Sequence, residues 1–172
     1  MQQERRKQRK PYRKPESVKE LERLHYERKH AKNPDFCHVK TKFRDNDANS
    51  LTNAVISFLR LQGHQAERIN VMGRPIDNSR IVTDCIGRQR RIGSMTWIPS
   101  GSTPGSADIS ATINGRSVKI EIKYGNDRQS EAQRKYQKSI EDAGGTYIIV
   151  RTFDQFKEWY EKYMSEFPTY HS

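Results

Sequence analysis

Two runs of alternating apolar and polar residues lie next to each other in the chain, joined by Asn114 and Gly115. In a β-strand, residues two positions apart point to the same face, and an Asn-Gly pair tolerates the positive φ angles of a type I′ turn. The pattern therefore predicts a β-hairpin with two apolar rows on one face, formed by Ile109, Ala111, Ile113, Val118, Ile120 and Ile122.

The opposite face of the predicted hairpin gathers charged side chains. Glu121 and Lys123 share this face of the second strand, and Asp108 stands at the start of the first. Two carboxylates and an ammonium group on a rigid sheet can hold a divalent metal ion and activate a water molecule. The alternative interpretation is a cross-strand salt bridge at the surface, which contributes less than about 1 kcal/mol.

Amphipathic segments flank the hairpin on both sides. The folded core is expected to begin near Asn49, with a helix that Ser50 caps and Gly63 ends. Ser130 caps a second predicted helix, which runs to about Ala143. The positions expected to be buried are Leu51, Ala54, Val55, Phe58, Leu59 and Leu61 in the first helix, and Ala132, Tyr136, Ile140 and Ala143 in the second.

Shorter patterns predict the elements between the first helix and the hairpin. Residues 64–74 predict a strand that ends at an Arg-Pro boundary, because the residue before a proline disfavours continuation. Residues 78–91 predict a short strand or a hairpin that turns at Gly87. Residues 95–98 predict a short strand or a packed loop, and residues 99–106 form a Ser/Gly/Pro-rich loop.

The end of the chain completes the fold class. Residues 146–150 form an apolar run that predicts a strand covered on both faces, and residues 153–164 predict a closing helix. The crossover from the Glu121 strand is long enough to make these two strands parallel. The order of elements indicates an α/β fold with a central mixed sheet flanked by helices. The closing helix is expected to bury Phe156, Trp159, Tyr160 and Tyr163.

The N-terminal part differs in composition. Residues 1–14 are polar and basic, which predicts a disordered segment that either grips phosphates or stays a solvated tail. A short helix is predicted over residues 15–29, and residues 33–47 have the composition of a linker. We therefore divide the chain into a basic N-terminal arm, residues 1–47, and a folded domain, residues 48–172. The helix has the apolar anchors Leu21, Leu24 and Tyr26, and the arm residues expected to bind nucleic acid are Arg5, Arg6, Lys7, Arg9 and Lys10.

Charge and cysteine content favour a nucleic-acid partner and argue against a membrane protein or a zinc-binding protein. The 172 residues carry a formal net charge of +11, which favours nucleic acid as a partner over a membrane. No stretch approaches the ~20 apolar residues of a membrane-spanning helix, and the basic N-terminus lacks the apolar segment of a signal peptide. We therefore expect a cytoplasmic location. Cys37-His38, with His25 and His30 nearby, matches no standard zinc-site spacing, so we expect Cys37 and Cys85 to be incidental reduced thiols.

Three motifs together resemble a known enzyme family. They are Gly105-Ser106-Ala107-Asp108, then Glu121-Ile122-Lys123, then residues 127–133, which end in a glutamine. Over about residues 49–151 the chain resembles the VRR-NUC branch of the PD-(D/E)XK nucleases, whose pattern is G-x-P-D, a spacer, E-x-K and a helix that opens with Gln. Ala107 stands where the family usually has proline, at a structural position.

The resemblance implies a restriction-endonuclease-like core and a metal-dependent DNA endonuclease, which hydrolyses phosphodiester bonds with Mg²⁺ or Mn²⁺. Carried over by motif, Asp108, Glu121 and the backbone carbonyl of Ile122 would hold the metal. Lys123 would hold or deprotonate the attacking water and offset charge on the scissile phosphate. Gln133 would have a supporting polar role facing the active site.

One departure from the family pattern bears on activity. Relatives usually carry a glutamate in the first helix that completes the metal site, whereas residues 48–53 contain no acid. Asn49 is the best positional match, and Asp47 is the nearest carboxylate. An Asn oxygen brings no charge, so we expect weaker metal affinity. A slow enzyme and an enzyme that recruits Asp47 both remain open.

Other basic residues are candidates for substrate contact. Lys119 and Arg128 are expected near the cleft, and Arg68 lies on the strand after the first helix. The cluster of Arg88, Arg90 and Arg91 fits either a solvated face or a DNA contact. Tyr124 stacks on a base or, alternatively, packs on a neighbouring residue.

The resemblance leaves several features of the function open. A branched DNA substrate, a phage or mobile-element setting and a homodimer are all compatible with it. The alternative to an enzyme is a nucleic-acid-binding or virion-packaged protein that keeps the nuclease fold without useful activity.

Overall fold

The computed structural model describes residues 11–69, 73–98, 101 and 103–168. The N-terminal basic residues predicted to bind nucleic acid, Arg5 to Lys10, lie outside this described part. The described helices and strands, in chain order, are α1 Glu16–Lys32, α2 Ala48–Leu61, β1 Gln65–Arg68, β2 Arg74–Asp77, β3 Arg80–Thr83, β4 Gln89–Ile92, β5 Met95–Ile98, β6 Ile109–Ile113, β7 Arg116–Ile122, α3 Glu131–Asp142, β8 Thr146–Val150 and α4 Phe153–Glu166.

The central sheet has four strands in the order β1-β6-β7-β8. β6 pairs antiparallel with both β1 and β7, whereas β7 and β8 are parallel. The predicted α/β fold, with a mixed sheet flanked by helices, is confirmed at this level. The parallel pairing across α3 is confirmed as well.

The β6–β7 hairpin turns where the sequence predicts. Asn114 and Gly115 have φ angles of 50° and 75°, as a turn of the I′ type requires. The Asn114 amide also donates a hydrogen bond of 2.8 Å to the carbonyl of Phe167, which ties the turn to the end of α4. The two predicted apolar rows are buried, namely Ile109, Ala111, Ile113, Val118, Ile120 and Ile122.

The main hydrophobic core lies between this apolar face and the helices α1, α2 and α4. In α2 the predicted stripe is buried except for Leu61, which is half-buried. The predicted cap at Ser50 is wrong: Asp47 caps α2, because its carboxylate accepts bonds from the Ser50 amide (2.9 Å) and hydroxyl (2.6 Å). Aspartate and serine are both good N-caps, and here the aspartate takes the role. In α4, Phe156, Tyr160 and Tyr163 are buried and Trp159 is half-buried.

Helix α1 belongs to this core, which therefore starts upstream of the predicted start at Asn49. Val18 and Leu21 are fully buried, and Leu24 and Tyr26 are half-buried. The segment that follows has no regular structure, yet it is anchored by buried Phe43 and Asp45. The composition of this segment did not predict these buried positions, because Phe43 and Asp45 are single residues rather than part of a repeating pattern. No described helix is long and apolar enough to cross a membrane.

Helix α3 lies on the opposite, polar side of the sheet and packs mainly on β8. Ser130 caps it as predicted. The predicted buried stripe is only partly correct, because Tyr136 and Ile140 are half-buried while Ala132 and Ala143 are exposed. This face of the sheet is polar and offers little apolar surface, so few side chains of α3 become buried against it.

The segment between β1 and β6 contains four short strands in two antiparallel pairs, β2–β5 and β3–β4. The hairpin predicted over residues 78–91 and the strand alternative for residues 95–98 are confirmed. The strand predicted over residues 64–74 is wrong in extent, because β1 ends at Arg68 and Arg74-Pro75 begin β2. A two-stranded ribbon has free edges, where proline's missing N–H is tolerated. Parts of the strand predicted over residues 64–74 and of the loop predicted over residues 99–106 lie outside the described part, namely residues 70–72, 99, 100 and 102.

The His64 side chain links the end of α2 to α4 and should make stability depend on pH. Its Nε2 lies 2.8 Å from the Tyr160 hydroxyl, and burial lowers the pKa of His64. Below the unfolded-state pKa of about 6.5 the unfolded chain takes up a proton that the folded chain resists. We expect the free energy of unfolding to fall from pH 8 to pH 5.5, and to fall less in His64→Gln. Urea unfolding at both pH values checks this, and parallel pH profiles would contradict it.

Candidate active site

The three charged residues singled out in the sequence lie at one end of the β6–β7 hairpin. Asp108 immediately precedes β6, and its Oδ2 accepts a 2.8 Å hydrogen bond from the amide of Ile122. Glu121 is near the end of β7 and Lys123 follows that strand, held by a 2.9 Å bond from its amide to the carbonyl of Val150. Strand alternation turns Glu121 and Lys123 away from the main core, towards α3.

Glu121 and Lys123 form a buried ion pair. Glu121 is 2% exposed, the Lys123 side chain is 10% exposed, and Nζ lies 2.9 Å from Oε1. The alternative of a surface salt bridge is therefore wrong for these two residues. Because burying two charges costs several kcal/mol per ion before their attraction offsets it, stability alone gives little reason to keep such a pair.

Gln133 connects α3 to this ion pair. Its Nε2 donates to Glu121 Oε1, and its Oε1 accepts from Lys123 Nζ at 3.0 Å. The same Oε1 accepts from the Ser130 amide at 2.9 Å, which completes a capping box at the start of α3. One amide therefore fixes the helix N-terminus and both charged groups together.

Tyr147 is a member of the site that the sequence did not reveal. It lies on β8 opposite Lys119 and so on the same face as Glu121, whose Oε2 accepts from its hydroxyl at 3.4 Å. Burial, helped by the Glu121 charge, raises the pKa of Tyr147, which keeps the hydroxyl protonated. Only the register of the parallel pair, a long-range property, identifies this residue.

The electrostatics of Glu121 follow from its surroundings. Burial raises the pKa of its carboxyl, and the nearby charge of Asp108 adds to that effect. Lys123 and the Tyr147 hydroxyl oppose it by stabilising the ionised form. The carboxylate is thus held in a dry position where a further cation would be strongly attracted.

Gly105, the glycine of the first motif, lies against the start of α3. Its φ is +80°, and an added Cβ would lie 2.4–2.7 Å from backbone atoms of Ala132 and Gln133. The chain leading into Asp108 and the first turn of α3 are therefore in backbone contact. This contact explains physically why the motif has glycine there.

The residues considered as replacements for the missing helix acid have other partners. Asn49 Oδ1 accepts a 2.7 Å hydrogen bond from Arg68, and Asp47 caps α2. Within residues 11–69, 73–98, 101 and 103–168, no three His, Cys, Asp or Glu side chains form a group that could hold a metal ion. The Asp47 carboxylate is engaged at the start of α2, where it accepts from the Ser50 amide and hydroxyl.

The predicted DNA-contact residues are dispersed. Lys119 is half-buried and donates a 2.6 Å hydrogen bond to Ser110, on the same face of the sheet as Glu121. Arg128 is exposed in the loop between Lys123 and α3, and Tyr124, in the same loop, is 42% exposed. The arginines at positions 88, 90 and 91 lie in the β3–β4 hairpin, away from this cluster in the chain.

The oxygen atoms of the site fit a hard divalent cation. The carboxylates of Asp108 and Glu121 and the peptide carbonyl of Ile122 are the kind of ligand that Mg²⁺ and Mn²⁺ prefer. Two carboxylates are fewer than a dedicated protein cage supplies, but Mg²⁺ normally keeps several waters. The exposed Cys37 and Cys85 offer no comparable site.

Comparison with known proteins does not identify a family for this chain. A scan against models of known protein families finds no match, and a search of curated proteins finds no significant relative. The functional argument therefore depends on the residues and geometry of the site itself.

Proposed function

We propose that the chain is a metal-dependent DNA endonuclease with a restriction-endonuclease-like core of the VRR-NUC type. The observation that carries this proposal is the buried Glu121–Lys123 pair beside Asp108, bound by Gln133 on the polar face of the sheet. An amine and two acids that a binding protein would not need are held there at an energetic cost. The positive net charge of the chain supports a polyanionic substrate.

Each side chain has a role that its position supports. Asp108 and Glu121, with the Ile122 carbonyl, would hold Mg²⁺ or Mn²⁺, which when bound lowers the pKa of water and neutralises charge on the phosphate. Lys123 orients the attacking water and offsets negative charge as the phosphodiester reacts. Gln133 fixes the rotamers of both Glu121 and Lys123, and the Tyr147 hydroxyl orients the second oxygen of Glu121.

A second candidate is a nucleic-acid-binding or virion-packaged protein that lacks useful activity. Two observations favour it: Asn49 stands in place of the helix acid and bonds Arg68, and Asp47 is occupied as a cap. The cost of keeping Glu121 and Lys123 buried argues for the enzyme instead. The proposal includes a cytoplasmic location, a branched substrate, a phage or mobile-element setting and a homodimer.

The test is cleavage of plasmid and branched DNA in Mg²⁺, Mn²⁺ or EDTA. Asp108→Asn keeps an oxygen to accept from the Ile122 amide but removes the charge, so we expect cleavage to fall by roughly 10²–10³-fold. Asp142→Asn makes the same chemical change in an exposed residue at the far end of α3 and should cut like wild type. Measuring the rate of plasmid nicking compares the three proteins.

Two results would overturn the proposal. Cutting that persists in EDTA would remove the metal from the reaction. Equal cutting by Asp108→Asn and Asp142→Asn would remove Asp108 from the active site. Tight DNA binding without any cleavage by the wild type would favour the second candidate.

A further inference from the structure

Residues 73–98, here called the inserted ribbons, have no buried core of their own. They comprise the two antiparallel pairs β2–β5 and β3–β4, and neither pair is hydrogen-bonded to the four-stranded sheet in the described part of the chain. Every residue in the segment is exposed or half-buried. Two-stranded ribbons are marginally stable alone, so this segment is built for something other than packing the domain.

The charge of the inserted ribbons is strongly one-sided. They contain five arginines and two aspartates, with no lysine or glutamate, giving a net charge of +3. Both aspartates are engaged locally: Asp77 accepts from the Ser79 amide and pairs with Arg91, and Asp84 accepts from two amides of its own turn. Among the described residues, the guanidinium groups of Arg80 and Arg88 have no ion-pair partner.

Apolar side chains alternate with these arginines. Cross-strand register places Ile81 opposite Arg91 and Arg80 opposite Ile92. Ile81 is 68% exposed and Trp97, on the other ribbon, is 59% exposed. A surface of this kind meets a partner that is anionic and also offers apolar contacts, as the phosphates, sugars and thymine methyl groups of DNA do. A second copy of the chain would bring five more arginines against the same surface.

We infer that the inserted ribbons bind duplex DNA. The major groove of B-form DNA admits a two-stranded β-ribbon, whereas the major groove of A-form RNA is too narrow for side chains to read. The exposed arginines then contact phosphates, and the ribbon face lies along the groove.

In the sequence, the ribbon segment lies between two stretches of chain that meet at the candidate active site. The amide of Ile69, just after β1, donates a 2.8 Å hydrogen bond to the carbonyl of Asp108. In the sequence, the ribbon segment therefore begins shortly after a residue that is bonded to Asp108, and it ends ten positions before Asp108. We infer that DNA bound by the ribbons is delivered to the site through these connections, and this link to cleavage rests on the proposed function.

The experiment measures binding of the full chain to a short fluorescent DNA duplex by anisotropy, in EDTA, over a range of salt concentrations. Arg80→Ala/Arg88→Ala removes two charges from the ribbons for which the described part of the chain supplies no ion-pair partner. Arg23→Ala/Lys162→Ala removes two charges from exposed positions on α1 and α4, outside the ribbons. Arg80→Lys/Arg88→Lys keeps the charge. Unfolding curves of all three should match wild type, because every altered side chain is exposed.

We expect the ribbon variant to bind at least tenfold more weakly at about 0.1 M salt, with the slope of log Kobs against log salt reduced by about 1.8, that is ~0.9 for each lost phosphate contact. The control pair and the lysine pair should stay near wild type. Equal losses in the ribbon and control variants would overturn the inference, as would equally tight binding of the matching RNA duplex. If the wild type is a dimer and the ribbon variant is a monomer with unchanged DNA affinity, the surface would be assigned to self-association instead.

This measurement separates two failures. If the wild type and the ribbon variant bind duplex DNA equally well, the inference that the ribbons bind DNA is wrong, and the proposed endonuclease function is unaffected. If the wild type binds no DNA, the substrate of the proposed endonuclease is wrong as well. Cleavage plays no part in the readout, so a protein without nuclease activity still tests the inference.

Discussion

Replacing Lys123 with methionine is expected to abolish cleavage and to lower the free energy of unfolding by roughly 3 kcal/mol at pH 7. The substitution leaves the Glu121 carboxylate in a buried site without its cation. The cheapest response of the fold is to protonate that carboxyl. For a group whose unfolded pKa is about 4.3, protonation at pH 7 costs about 3.7 kcal/mol, which sets the upper limit of the destabilisation.

The pH dependence of this loss has a definite sign. In the variant, the pKa of Glu121 in the folded state rises further above its unfolded value, so the folded state binds more protons than the unfolded one. Stability therefore falls as pH rises through the interval between the two values, and the loss shrinks to about 1 kcal/mol near pH 5. Urea unfolding at pH 5 and pH 7 measures both quantities.

A second substitution separates the structural from the catalytic role of the pair. Lys123→Met/Glu121→Gln removes both charges, and the new glutamine can still bond Gln133 and Tyr147. Because a buried ion pair is often replaceable by neutral groups without loss, we expect most of the lost stability to return. Cleavage should stay absent. Full cleavage by Lys123→Met alone would mean that the lysine is only a structural partner.

An exposed ion pair serves as the matched control. Lys138 and Asp142 lie 2.8 Å apart on α3, at nearly the same distance as Lys123 and Glu121, but both side chains are largely exposed. Lys138→Met should cost less than about 1 kcal/mol. A similar cost for both lysines would contradict the claim that burial makes Lys123 special.

Local patterns predicted the parts of the fold that local physics determines. The β6–β7 hairpin follows from period-two alternation and an Asn-Gly pair, and the start of α3 follows from Ser130, a residue type favoured at the N-cap. Both depend on contacts between residues close in sequence. The same alternation was enough to place Glu121 and Lys123 on one face.

Long-range contacts explain what the sequence did not predict. Tyr147 joins the site only through the register of β8 against β7. Helix α1 joins the core through Val18 and Leu21, which are buried. Its few apolar residues are spread among many charged ones, so the pattern did not show that the helix is part of the core. The joint role of Gln133, as cap and as partner of the ion pair, needs α3 docked on the sheet.

Gly105 offers the sharpest test of how α3 is docked. Gly105→Ala is expected to destabilise the fold by roughly 3–4 kcal/mol, of which about 1–2 come from a left-handed backbone at φ +80° and the rest from overpacking. The added methyl group would have to displace backbone of the first turn of α3, which no rotamer change can relieve. Gln133 would move with that turn, so cleavage should fall although Gly105 is not assigned to substrate.

Gly144 isolates the backbone part of that effect. It has the same φ of +80° and open space where a Cβ would be. Gly144→Ala should therefore cost only the backbone share, about 1–2 kcal/mol. Both substitutions reduce the entropy of the unfolded chain equally, so that contribution cancels in the comparison. The difference between the two urea-unfolding free energies then measures the contact between Gly105 and α3. Equal losses would mean that α3 is not held against the chain that leads into Asp108, and Gln133 would then have no fixed position from which to orient Glu121 and Lys123.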